Sequence, residues 1–157
     1  MTSYVSAEFR RLVLERSGNR CEYCLIHSDD TIFGCQVDHI ISENHFGVTN
    51  TDNLAMACAF CNRFKGADIG SIAVSTREFT RFFNPRTDRW NEHFRFDQFQ
   101  IASLTPIGEV MLAILQFNQV DRVLERQVLH LDGRFPPKPH PKTAKPIHNG
   151  RRWALSV

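Results

Sequence analysis

Cys21-Glu22-Tyr23-Cys24 and Cys58-Ala59-Phe60-Cys61 bracket a segment holding Asp38-His39 and Asn53, and Asn62-Arg63-Phe64-Lys65-Gly66 follows the second pair. Four thiols in two Cys-x-x-Cys pairs have the spacing of a tetrahedral clip for a soft metal such as zinc. Cys24 and Cys58 are 33 residues apart in the intervening chain, more than the usual zinc-ribbon gap, so the clip must enclose a sizeable loop. That loop carries a carboxylate beside an imidazole, and a carboxamide follows the clip at Asn62. Hard oxygen donors next to a group that titrates near neutrality make a second site, suited to Mg²⁺ or Mn²⁺. A small strand-strand-helix unit has little core of its own, and metal binding free energy can serve it as folding free energy.

Local patterns flank this segment on both sides. Phe9, Leu12 and Val13 at helical spacing between Ser6 and Ser17, with Gly18 as a stop, predict an amphipathic first helix. Ile32 to Ile41 reads as a strand after a turn at Ser28-Asp29-Asp30, and residues 42–52 as an ordered loop. A second strand at 53–57 and a helix ended by Gly66 complete the unit. Neighbours on a regular strand point to opposite faces, so irregular backbone is expected at 38–40 if Asp38 and His39 are to address one phosphate.

Further on, Ser75-Thr76-Arg77-Glu78 resembles a capping box leading into a short helix with Phe79, Phe82 and Phe83, ended by Asn84-Pro85. Alternation around Phe94 and Phe96 predicts a hairpin near 92–104. Thr105-Pro106 then caps a helix with Ile107, Val110, Met111, Ile114 and Leu115 on one stripe. A last helix after Asn118 carries a second stripe of Val120, Val123, Leu124, Val128 and Leu131. Both stripes are read as core, as are most of the phenylalanines, although aromatic rings can also stack on bases. The expected fold class is α+β, with a C-terminal hairpin and helical extension on the metal-clipped core.

The 157 residues, 42% of them hydrophobic, suit one domain over 1–133, with a motif core at 20–66 and an extension at 67–133. Residues 134–157 read as a basic proline-rich tail, acid-free after Asp132 and able to grip phosphates or simply to be solvated. Charge is uneven: residues 1–65 hold six Lys and Arg against eight Asp and Glu, residues 66–157 thirteen against nine. No apolar run approaches a membrane span and Met1 to Ser17 has no signal-peptide pattern, so a soluble cytoplasmic protein is expected. Five cysteines, an odd number, fit metal binding plus a spare Cys35 better than a disulfide framework. Cys35 lies four residues before His39, so a thiol-base pair is open, beside the plainer reading of a small buried hydrophobe.

Val37-Asp38-His39-Ile40-Ile41, Thr51-Asp52-Asn53-Leu54 and Cys58-x-x-Cys61-Asn62-Arg63-x-Lys65-Gly66 resemble the HNH endonucleases, the ββα-metal or His-Me finger nucleases, over about residues 20–66. The resemblance implies His39 as general base, Asn53 as the residue that holds the loop and His39, and Asp38 and Asn62 as ligands of a catalytic Mg²⁺ or Mn²⁺. It implies structural Zn²⁺ on Cys21, Cys24, Cys58 and Cys61, and phosphate contacts from Arg63 and Lys65. Asn62 stands where the family usually has its last histidine, and Ser42-Glu43-Asn44-His45-Phe46-Gly47 departs from the usual proline and Gly-Gly pair. The expected activity is metal-dependent hydrolysis of DNA phosphodiesters. A non-catalytic zinc-stabilised nucleic-acid-binding module and an RNA-directed nuclease are the alternatives. Sequence specificity and oligomeric state are not legible.

Overall fold

In the computed structural model, which describes residues 4–138, the two strands and the helix of the central unit follow one another without a gap in logic. Strand β1 (Cys35–His39) pairs antiparallel with β2 (Leu54–Cys58), Cys35 opposite Cys58 and His39 opposite Leu54. Helix α2 (Ala59–Lys65) starts at the end of β2 with Cys58 as its N-cap, and Gly66 ends it at a positive φ. Ahead of the unit lies helix α1 (Ala7–Ser17), where Ser6 Oγ accepts the Phe9 N–H and Gly18 turns left-handed.

Strand β2 is buried on both faces, which explains why all five of its residues are small or apolar. Leu54 and Met56 pack against Val5 and Val13 on the α1 side. Ala55 and Ala57 face the main core, which the extension supplies through residues such as Phe94, Met111, Leu115 and Phe117. By cross-strand pairing His39 lies on the α1 face with Leu54, and Asp38 on the opposite face with Ala55. The pairing holds its register through His39, so the irregular backbone expected at 38–40 is confined to Ile40, where the strand ends.

The extension contains strands β3 (Gly70–Ile72) and β4 (Phe79–Arg81), a helical turn α3 (Trp90–His93), strands β5 (Phe94–Asp97) and β6 (Gln100–Ser103), then helices α4 (Pro106–Ile114) and α5 (Val120–Leu131). The hairpin expected near 92–104 is β5–β6, and Thr105 caps α4 by accepting the Gly108 N–H. Strand and helix segregate as an α+β protein should.

Two expectations about helices fail. The capping box at Ser75 starts no helix; β3 and β4 form a hairpin whose turn spans it. Arg77 is left-handed at φ 60°, which no continuing helix allows, and the Ser75 N–H is met by Glu109 of α4 instead of by Glu78. Gly70 is needed there because a Cβ would come within 2.6 Å of the Thr80 carbonyl oxygen. The second failure is the face of α5: Arg122, Arg126 and Leu129 are buried, while Val120, Leu124, Val128 and Leu131 are exposed. Of the expected basic proline-rich tail, Phe135 is buried against Phe96 and Phe99 and Arg134 pairs with Asp30. Residues 139–157, the rest of the expected tail, lie outside the described residues.

Candidate active site and metal centre

Four sulfurs meet at one end of the β1–β2 hairpin. The Sγ atoms of Cys21, Cys24, Cys58 and Cys61 all lie within 4.8 Å of one another, and all four residues are buried. A tetrahedron with metal–sulfur bonds of ~2.3 Å has sulfur–sulfur edges of ~3.8 Å. Cys24 and Cys58 are 3.7 Å apart, so the cluster fits a structural zinc ion and is no disulfide. The first pair sits on a tight turn in which the Leu25 N–H bonds the Cys21 carbonyl and the Cys21 N–H the Ile26 carbonyl. Helix α2 brings the second pair, with the Cys61 N–H directed at Cys58 Sγ. Burial pushes the Cys21 and Cys61 thiols up, while hydrogen bonds from the neighbouring cysteines draw Cys24 down.

At the other end of the hairpin stand Asp38 and His39. His39 Nε2 lies 2.7 Å from Thr49 Oγ1 in the loop after β1. That loop is tied by Asn53, whose side-chain oxygen accepts the Ile41 N–H at 2.9 Å and whose amide donates to the carbonyls of Ile41 at 2.9 Å and Val48 at 3.0 Å. Gly47 lets the loop close this tightly, because a Cβ there would sit 1.8 Å from the Ile41 carbonyl oxygen. The main chain adds an Ile40 N–H bond to the Asn53 carbonyl. The strand thus fixes the His39 backbone, and Thr49, carried on the loop that Asn53 ties, meets the ring at Nε2. The HNH endonuclease family model matches residues 21–68.

Septu protein PtuB of Bacillus thuringiensis is 27% identical to this chain over 119 residues. Those residues are 74% of this chain and 44% of that protein, so the chain spans less than half the length of the relative it matches. No solved structure matches the chain. Within the HNH segment, Asp38 faces α2 and its carboxylate lies 3.2 Å from Lys65 Nζ. Lys65, expected as a phosphate contact, is instead 2% exposed, and its ammonium also donates to the carbonyls of His39 at 2.8 Å and Gly66 at 3.4 Å. Arg63 is exposed on α2. Asn62 is half-buried one turn before Lys65 and so shares its face of the helix toward Asp38.

Asp38 Oδ2, the oxygen paired with Lys65, is buried and has no other polar partner among the described residues; by chemistry Asp38 and Asn62 are hard oxygen donors of the type Mg²⁺ or Mn²⁺ takes. Burial pushes the Cys35 thiol up to about 12, which keeps it protonated and sets aside the thiol-base reading. His45 is exposed on the loop. Sequence reasoning missed Arg122, which reaches the cysteine cluster of the HNH segment from α5, with Nη2 3.1 Å from Cys24 Sγ. The only sequence signal was an arginine inside an apolar helix, and the same pattern describes a solvated one.

Proposed function

We propose that this chain is a metal-dependent endonuclease that hydrolyses DNA phosphodiesters, with His39 as the general base. What carries the reading is that the HNH match covers a histidine whose ring is held at Nε2 by Thr49, while Nδ1 has no hydrogen-bond partner among the described residues. For Nδ1 to accept a proton it must be bare, so Nε2 carries the hydrogen and donates to Thr49 Oγ1. His39 then takes a proton from water, the water oxygen bonds to phosphorus, and the bond from phosphorus to the 3′ oxygen breaks. The products are a 5′-phosphate and, after the leaving oxygen is protonated by solvent, a 3′-hydroxyl. Asp38 and Asn62 would hold a Mg²⁺ or Mn²⁺ ion, which when bound supplies positive charge to the phosphate and the leaving oxygen. Because β1 stays regular through His39, with Asp38 on its opposite face, the phosphate would have to sit at the end of the strand, where both side chains can reach it. Asn53 acts by keeping the loop, and Arg63, exposed on α2, would meet a backbone phosphate. The similarity to Septu protein PtuB runs over more residues than the HNH match, so the extension belongs with the nuclease core in this reading.

One observation favours a second reading. Asp38 already has a counter-ion in Lys65, as it would in a nucleic-acid-binding module that needs no catalytic metal. Supercoiled plasmid incubated with wild type and with His39→Ala, in Mg²⁺, Mn²⁺ or EDTA, separates the two. Metal-dependent nicking that disappears in the variant supports the nuclease; retained cleavage by His39→Ala overturns the assigned base. DNA binding without cleavage by wild type in any metal favours the binding module, and parallel trials on RNA decide the substrate.

A further inference from the structure

We propose that Arg122 is the fifth protein group of the zinc centre, offsetting the charge of its four sulfurs and making the docking of helix α5 depend on the metal. This rests on the zinc reading of the cysteine cluster. Arg122 comes from outside residues 21–68, 64 residues after Cys58. Its side chain is 2% exposed, with Nη2 3.1 Å from Cys24 Sγ and 3.7 Å from Cys58 Sγ. The guanidinium carbon lies 4.8 Å from the centroid of the Phe60 ring, in the residue pair that separates Cys58 from Cys61. Glu125, one turn along α5, forms an ion pair with Nε at 3.6 Å but no hydrogen bond, and Nε and Nη1 have no hydrogen-bond acceptor among the described residues, so Nη2 finds its acceptors only in the sulfurs.

A guanidinium buried this deeply costs several kcal/mol unless both its charge and its N–H groups are met, and the carboxylate of Glu125 answers the charge without accepting an N–H. A zinc ion on four thiolates carries a net charge of about −2, and its sulfurs keep lone pairs that accept N–H bonds. The two groups answer each other: the centre needs positive charge in a dry interior, and Arg122 needs acceptors. Without the metal nothing holds the four sulfurs together as a set of acceptors, and the contact that ties α5 to the cluster weakens. Arg126 is the internal comparison. It lies one turn further on and is equally buried, but it donates to the carbonyls of Phe99 at 2.9 Å and Phe117 at 2.7 Å and not to sulfur.

The test uses the full chain as wild type, Arg122→Met, Arg122→Lys and Arg126→Met. Zinc content by elemental analysis comes first: a wild type that neither carries nor takes up zinc overturns the zinc reading and the inference with it. With zinc present, transfer to a chromophoric chelator should be about 10-fold faster or more for Arg122→Met, slower again for Arg122→Lys, and near wild type for Arg126→Met. In the Co²⁺-substituted protein, the thiolate-to-metal charge-transfer band should move to lower energy in Arg122→Met, because a sulfur that loses its N–H bond gives up an electron more easily. An unmoved band with unchanged release, or equal acceleration by Arg126→Met, overturns the role of Arg122 while leaving the zinc site standing. If Arg122→Met does not fold, hydrogen exchange of wild type decides: chelation should strip protection from residues 120–131 together with 59–65, and a helix α5 still protected in metal-free protein refutes the coupling.

Discussion

Replacing Lys65 by methionine should destabilise the fold by about 3 kcal/mol, and the reason is the carboxylate it leaves behind. Lys65 is 2% exposed and Asp38 19%, with 3.2 Å between ammonium and carboxylate. At an effective dielectric constant of about 20, that separation is worth ~5 kcal/mol of attraction before desolvation is counted. Desolvation consumes much of this in the intact pair, but removing one partner leaves the other's penalty uncompensated, which typically costs ~3–5 kcal/mol. The residual exposure of Asp38 lets water relieve part of it, so the lower end applies. Methionine also loses the bond to the His39 carbonyl at 2.8 Å, which ties α2 to the end of β1. Urea unfolding with zinc in constant excess reads the effect: at a slope of about 2 kcal/mol per molar, the midpoint should fall by ~1.5 M with the slope unchanged. The double variant Asp38→Asn/Lys65→Met should recover most of the loss, because no charge is then left unpaired. A loss below about 1 kcal/mol in the single variant, or a double variant as unstable as the single, would refute the argument.

Asn53→Asp removes both amide donors and points a charged oxygen at the carbonyls of Ile41 and Val48; it should cost at least about 2 kcal/mol in the same assay and release the loop that carries Thr49. The proposed nuclease activity should fall with it even under conditions where circular dichroism shows the protein folded. The two faces of α5 should respond in the opposite sense to the apolar pattern: Leu124→Gln, on the exposed face, is expected to change stability by no more than about 0.5 kcal/mol, and Leu129→Ala, on the buried face, to cost about 2–3 kcal/mol by thermal melting.

Most of the ββα unit was legible because its signals are contiguous. Ser6 and Gly18 bound α1, Cys58 and Gly66 bound α2, and Thr105-Pro106 opens α4, each through bonds within a few residues of chain. The two cysteine pairs announced their cluster through spacing and side-chain chemistry alone. Ser75 misled because a capping box is a local preference of modest strength, about 1 kcal/mol, and Glu109 from another helix took the N–H that the box would have used. Helix α5 misled for a deeper reason. Its apolar stripe is as regular as that of α4, yet the space beneath it belongs to two arginines, because sulfurs and main-chain carbonyls there offer what a leucine cannot use.

The sequence by itself determined that two cysteine pairs would enclose a hairpin and feed a short helix, and that Asp38, His39, Asn53 and Asn62 would be carried on that unit, since spacing, caps and strand alternation act over a few residues. Only the tertiary structure decided what the long charged side chains do. Lys65 turned inward to Asp38 and to a carbonyl 26 residues away, and Arg122 crossed 98 residues of sequence to Cys24. A buried charge goes wherever the folded chain gathers enough opposite charge and acceptors to replace water, and that gathering is a property of the packed molecule, not of any stretch of its sequence.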